Sequence, residues 1–381
     1  MRLAICASHP IQYEAPIFRE LAKSLDLHVF FAANVNPSDK SVGFSTDLRW
    51  DVDLLSGYRS SFLQNVSVNP GTSTFGGCDT PEIGSILKKG KFSVVLLLGW
   101  HIKSMHQALI AAKMLRLPVI VRGDSQLATP RSALKRIVKA VSYPVFLRCF
   151  DAALVVGQRS RKYWIHYGYP SDRIFFSPHC VDTEWFASRS SKEVGTRLRR
   201  NSNIRSDAKV ILFCGKLIDK KRPLDVVDAL SLMNNKEPLH FLIAGDGPLR
   251  NAIVQACRRN SIPFISLGFV NQSQMPEIYA ASDLLVLPSD GRETWGLVAN
   301  EALACGVPIV LSDQVGAGPD LLATASVGLR YKMGDKKELA KSIRSIIDYP
   351  PSISAIQLQS QKYSVEAACK GIIDALQSFG Q

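Results

Sequence analysis

The chain has 381 residues, 46% of them apolar, with 46 Lys and Arg against 33 Asp and Glu for a net charge of +13. Such a length predicts about two to three domains, and the apolar content excludes a disordered chain in favour of packed cores. The positive excess favours anionic partners (nucleotides, anionic lipid or nucleic acid) without choosing among them.

The opening M-R-L-A-I-C-A-S-H-P places only about five apolar or small residues before His9 and Pro10, too few for a secretory h-region. The run Val94 to Trp100 is among the longest apolar stretches, far short of the ~18 residues of a membrane span. Eight cysteines are scattered without any C-x-x-C pair, and several sit inside apolar runs, as expected of core residues in a reducing compartment. A cytoplasmic protein is expected.

Short apolar runs then alternate with helical patterns. The first half carries L-A-I-C-A, L-H-V-F-F-A, F-S-V-V-L-L-L, L-P-V-I-V and D-A-A-L-V-V. Residues 33 to 85 are rich in Ser, Gly and Asn and read as long loops. His101 ends one strand in L-L-G-W-H, and Asp124 follows another in V-I-V-R-G-D-S. Between them and the next strand lies R-S-A-L-K-R-I-V-K-A-V-S-Y-P. There Arg131, Lys135 and Lys139 recur at four-residue spacing, with Leu134, Val138 and Val141 along the other side. Two readings stand: a basic amphipathic helix for an anionic membrane surface, or the solvated face of a core-packed helix.

A polar, Ser- and Arg-rich stretch at 187 to 203 reads as a linker. Beyond it the theme repeats with K-V-I-L-F-C, L-H-F-L-I-A, F-I-S-L, D-L-L-V-L and V-P-I-V-L. Continuous apolar strands separated by helices mean parallel sheets covered on both faces. The expectation is two doubly wound α/β domains, 1–185 and 205–350, joined by 186–204, with 351–381 as a C-terminal helix. Ligands of doubly wound sheets bind beyond the carboxyl ends of the strands, so the cleft between the domains is the expected site.

Four stretches face that cleft. After K-V-I-L-F-C come Gly215, Lys216 and Lys221, and two ammoniums there suit a diphosphate, although exposed lysines are also ordinary in a solvated turn. In I-A-G-D-G-P-L-R, Gly245 and Gly247 permit a tight turn and close approach of backbone to a ligand. Leu267 to Val270 closes a further strand, where the backbone at Phe269 is placed to meet a nucleobase. In G-R-E-T-W-G-L-V-A-N-E-A-L, Glu293 and Glu301 stand eight positions apart. On one helix they would lie about 80° and roughly 12 Å apart, too far to share a proton. A helix beginning near Gly296 would aim the amides of Gly296, Leu297 and Val298 at an anion, leaving a carboxylate on each side for hydroxyls, as a sugar phosphate needs. Helix-dipole and surface glutamates account for the pair equally well.

Taken in order, G-K-L-I-D-K-K-R-P, A-G-D-G-P, L-G-F-V, the E-x7-E stretch and S-D-Q-V-G-A-G-P-D-L resemble glycosyltransferase family 4, retaining nucleotide-sugar enzymes. The resemblance implies the GT-B fold, two Rossmann-like domains facing across a cleft, with a last helix near Ser364 to Phe379 crossing back to the first. It further implies that Lys216 and Lys221 bind the donor diphosphate, helped by the amides of Gly296, Leu297 and Val298. Glu293 would hold the donor sugar and Glu301 the ribose, and Gly215, Gly247 and Phe269 complete the donor-binding set. Glu293, Lys216, Lys221, Asp124 and His101 form the expected catalytic group. In two places the chain departs from the family: S-H-P-I-Q-Y-E-A-P replaces a glycine pair after the first strand, leaving His9 and Gln12 there, and Asp124 stands where many members carry histidine.

The expected function is therefore sugar transfer, with retention, from a UDP or GDP sugar to an acceptor hydroxyl on a glycan, a lipid-linked sugar or a small molecule. No D-x-D pattern ends a strand convincingly, so neither a metal nor a separate cofactor is expected. The alternatives are an inverting GT-B transferase, a nucleotide-sugar epimerase, or a non-catalytic nucleic-acid-binding protein. The last lacks aromatics interleaved with its basic segments, so nucleic acid is not an expected partner. The Gly-rich fingerprint of a nicotinamide dehydrogenase is also missing.

Overall fold

The computed structural model describes residues 1–34, 50–233, 238–324 and 326–379. Its first lobe holds seven strands: β1 (Arg2–Ala7), β2 (Asp26–Phe31), β3 (Ser60–Phe62), β4 (Val94–Leu98), β5 (Val119–Gly123), β6 (Ala152–Val155) and β7 (Ile174–Phe176). They form one parallel sheet in the order β3-β2-β1-β4-β5-β6-β7, with Ile5 of β1 opposite Val29 on one side and Leu96 on the other. These side chains are fully buried, because helices cover both faces of the sheet.

The second lobe repeats the plan with β8 (Lys209–Cys214), β9 (Leu239–Ala244), β10 (Phe264–Gly268), β11 (Leu284–Leu287), β12 (Ile309–Ser312) and β13 (Gly328–Tyr331). Its order is β10-β9-β8-β11-β12-β13, all parallel. Strand order reverses beside β1 in one sheet and beside β8 in the other, which opens a crevice at the carboxyl ends of both. Every apolar run read as a strand is one.

Three strands lie outside those runs. β3, β7 and β13 are short and sit at sheet edges, where pairing with a neighbour defines the strand more than an apolar pattern does. The reading of 33–85 as loop is corrected accordingly: it contains β3 and the start of helix Ile83–Lys89, while its portion at 35–49 lies outside the described residues.

The stretch at 186–204, read as a linker, is largely helical. Helices Thr183–Arg189 and Lys192–Asn201 are capped by the side chains of Asp182 and Ser191, which accept from Trp185 N and Val194 N. The second packs on the second lobe, so closely that a Cβ on Gly195 would stand 2.1 Å from Ala280 O. Arg199 Nη2 adds an ion pair with Asp283 at 2.7 Å.

The segment 351–381, read as one helix, is two. Ile353–Gln361 packs on the second lobe, with Gln359 Nε2 donating to Asp320 O at 3.0 Å. The chain then breaks and restarts at Val365–Gln377, where Ser364 Oγ accepts from Ala367 N. This last helix lies on the first lobe: Ala368, Ile372 and Ala375 enter the core of Leu3, Ile5 and Ile17, and Ser177 Oγ donates to Ala368 O at 2.9 Å.

Candidate functional site

The carboxyl ends of β8, β9 and β10 meet through their glycines. Gly215 N donates to Ala244 O (2.9 Å) and Gly245 N to Gly268 O (2.7 Å), so three chain turns stack backbone on backbone. Gly245 has φ +153°, and a Cβ there would stand 1.9 Å from Gly215 O, so only glycine fits. Gly247 follows in the same turn, its amide held by Asp246 Oδ1 at 2.8 Å. Together these turns leave a smooth backbone floor.

Lys216 and Lys221 stand beyond the end of β8, the latter in a 3₁₀ turn at Asp219–Lys221. Burial, then the charges of Lys220 and Lys221, hold the Lys216 ammonium below its usual range. Such like-charge crowding favours an arriving anion. Lys221 Nζ is ion-paired with Glu293 Oε2, each side chain only 14% exposed, and Ser289 Oγ donates to the same oxygen at 3.2 Å. Glu293 lies in a loop, not on the following helix, so the helical-wheel separation from Glu301 does not apply.

That helix runs Val298–Ala304, entered through Gly296 at φ +102°, where a Cβ would stand 2.6 Å from Leu287 Cδ2. Its ladder opens with Ala299 N donating to Gly296 O (2.9 Å) and Glu301 N to Leu297 O (3.0 Å). The amides of Gly296, Leu297 and Val298 precede it. Glu301, 4% exposed, accepts from Tyr13 Oη at Oε1 (2.9 Å) and from Tyr279 Oη at Oε2 (2.7 Å). Burial pushes its carboxyl up to about 7, against the pull of the two hydroxyls. A cavity of about 130 Å³ adjoins it, lined by Gln12, Tyr13, Trp50, Gly215, Gly245, Phe269 and Glu301 among others. Phe269 thus lines the same space as Glu301.

The first lobe closes over this floor. Asp124, just past β5, accepts from Thr294 Oγ1 at 2.7 Å, and Gln126 Nε2 donates to Gly291 O at 3.2 Å. Asn300 Nδ2 donates to His179 O at 3.2 Å. Around Asp124 stand Glu14, Arg122 and His179, none of them marked by sequence. Burial pushes the Glu14 carboxyl up to about 7, with Arg122 opposing and Asp124 adding. It pushes the His179 imidazole down to about 4, helped by Arg122 and opposed by Asp124. Arg122 is itself fixed by Ser177 Oγ (3.2 Å) and Pro178 O (2.7 Å). His101 is exposed and close enough to His9 to help burial lower that imidazole. His9 Nδ1 and Ser8 Oγ are 3.0 Å apart, and Gln12 lines the cavity, so the loop that replaces a glycine pair does reach the site.

The basic segment forms helix Ala133–Phe146, which packs on the first-lobe core through Tyr143 and Phe146 while its Leu134–Val141 stripe does not. None of its residues is buried, and Leu134, Ile137, Val138, Val141 and Val145 are each more than half exposed. The apolar stripe faces solvent. Lys139 turns inward instead, 3.1 Å from Tyr163 Oη and 4.4 Å above the Tyr143 ring, because aromatic faces and a phenol oxygen satisfy its charge there. Among the described residues no helix is long and apolar enough to cross a membrane.

Residues 195–363 match the family model described as Glycosyl transferases group 1, a span that holds Lys216, Lys221, Glu293 and Glu301. The uncharacterized glycosyltransferase MJ1607 of Methanocaldococcus jannaschii is 30% identical over 145 residues, 38% of this chain and 37% of that protein. The N-acetyl-alpha-D-glucosaminyl L-malate synthase of Bacillus anthracis is 31% identical over 145 residues, 38% of each. The chain thus spans well under two thirds of the length of these curated relatives. The crystal structure of Anabaena Alr3699/HepE in complex with UDP superposes with a TM-score of 0.75 at 19% identity, covering 99% of this chain and all of that one. The fold is GT-B.

Proposed function

We propose that this chain is a glycosyltransferase of family 4 that moves a sugar, with retention, from a nucleoside diphosphate sugar to an acceptor hydroxyl. One observation carries the reading: Lys216, the Lys221–Glu293 pair, the amides of Gly296 to Val298, and Glu301 meet at the carboxyl ends of β8 to β11. That is cationic charge between two carboxylates, the pattern of a ligand with an anionic middle and hydroxylated ends. UDP in the HepE structure supports a uridine donor, and the match over 195–363 supports the class of reaction.

In this reading the bond from the anomeric carbon to the diphosphate oxygen breaks while the acceptor oxygen bonds the same face of that carbon. Negative charge grows on the diphosphate, where Lys216, Lys221 and the three amides meet it. The released diphosphate oxygen takes the acceptor's proton, so protein cations supply the catalysis and no metal takes part. Glu293 leaves Lys221 to hold donor-sugar hydroxyls, Glu301 receives the ribose, and the backbone at Gly215, Gly247 and Phe269 flanks diphosphate and base. Asp124 lies on the acceptor side with His101 at its rim, and closure of the lobes keeps water from the donor.

The solvent-facing stripe of helix Ala133–Phe146, flanked by Arg131, Lys135 and Arg136, supports docking on an anionic membrane surface, at the inner face of a cytoplasmic membrane. The acceptor would then be a lipid-linked or membrane-proximal glycan. Proton NMR of the product tests the chemistry. An anomeric configuration equal to that of the donor is expected, whereas inversion would transfer the chain to the inverting GT-B transferases.

A further inference from the structure

Each oxygen of Glu301 already accepts one hydrogen bond, and from different lobes. Tyr279 reaches Oε2 from the second lobe, whereas Tyr13 reaches Oε1 from the first, 288 positions away in sequence. Tyr13 is fixed by its place in the loop after β1, immediately before helix Ala15–Ala22. Its hydroxyl therefore stands where a hydroxyl of a ligand bound to Glu301 would stand. The adjoining cavity agrees: at about 130 Å³, with Tyr13 in its wall, it is far below the ~300–1,000 Å³ of ordinary small-molecule sites. The rim is also drawn shut across the lobes. Asp124 accepts from Thr294, His179 O from Asn300, and Asp51 Oδ1 from Ser273 N at 3.2 Å.

We infer that Tyr13 is a gate: its hydroxyl mimics a ribose hydroxyl on Glu301, and a nucleotide enters only by displacing it as the lobes part. The inference rests on the reading of Glu301 as the ribose residue. It accounts for the first-lobe donor at Oε1, since Tyr279 reaches only Oε2 of this buried carboxyl. Admission of a nucleotide becomes an exchange of one hydroxyl for another, coupled to lobe motion. Because Tyr279 stays with Glu301 from the same lobe, its hydroxyl supports the ligand-bound carboxylate instead of competing with the ligand.

The two tyrosines should therefore act in opposite directions. Calorimetric titration of UDP and GDP into wild type, Tyr13→Phe and Tyr279→Phe tests this, since both changes keep ring volume. Loss of one net hydrogen bond predicts that Tyr13→Phe binds the accepted nucleotide about threefold to tenfold more tightly. Tyr279→Phe binds it more weakly. Unchanged or weaker binding by Tyr13→Phe overturns the gate. Glu301→Gln separates the two failures: weaker binding in that variant, with Tyr13→Phe unchanged, removes the gate alone. If Glu301→Gln binds as wild type does, or if wild type binds neither nucleotide, the ribose reading fails and the gate with it.

Discussion

Glu301→Gln keeps the shape of the side chain and removes its charge, so it isolates what burying that carboxyl does to stability. The group is 4% exposed, and burial raises its pKa from an ordinary 4.5 to about 7, even with Tyr13 and Tyr279 donating to it. The folded chain therefore keeps a proton that the unfolded chain gives up. Stability falls as pH rises from about 4.5 to about 7 and is level above that, a total of about 3 kcal/mol from this one group. Glu14, raised to about 7, and Asp320, raised to about 6, slope the same way. His179, lowered to about 4, slopes oppositely, its share being lost as pH falls below about 6.5. Because other groups titrate too, the informative quantity is the difference between wild type and variant. Urea unfolding at pH 5 and pH 8 should show the variant gaining about 2–3 kcal/mol on wild type between the two. Parallel profiles would refute the assignment of a buried, proton-retaining carboxyl to position 301.

Binding of nucleotide should follow the same titration. The ionised carboxylate is the better acceptor for ribose hydroxyls, so affinity by calorimetry should rise about tenfold from pH 6 to pH 8 and stay flat in Glu301→Gln. Gly245→Ala would set a Cβ 1.9 Å from Gly215 O, forcing apart the turns that floor the site. We expect a stability loss of about 2 kcal/mol or more in urea and no measurable nucleotide binding. For the exposed helix, Leu134→Glu with Val141→Glu should abolish co-sedimentation with vesicles containing anionic lipid at low salt and leave nucleotide binding intact. Equal sedimentation of wild type with neutral and anionic vesicles would remove the membrane reading.

Sequence showed the sheets well and the site in part. The strands in the two sheet centres are continuous apolar runs because both faces are covered, a pattern visible without a fold. β3, β7 and β13 have no such run, since a three- or four-residue edge strand exists by virtue of the strand beside it. Lys216, Lys221, Glu293 and Glu301 stand in motifs that, taken in order, resemble glycosyltransferase family 4. Tyr13, Glu14, Arg122 and His179 do not: Tyr13 and His179 meet the second lobe from loops with no signature of their own, and Glu14 and Arg122 are joined to Asp124 only by the fold. Periodicity in helix Ala133–Phe146 marked an apolar stripe correctly but could not give its direction. The exposure of Leu134, Val138 and Val141, with Lys139 turned inward onto Tyr143 and Tyr163, shows that the stripe faces water.

The most direct test of the donor site is calorimetric titration of UDP, GDP and their common sugar conjugates into wild type, Lys216→Ala and Glu301→Ala. Micromolar binding of one nucleotide by wild type, lost in both variants, is the predicted result. Equal binding in all three proteins, or none in wild type, would contradict it.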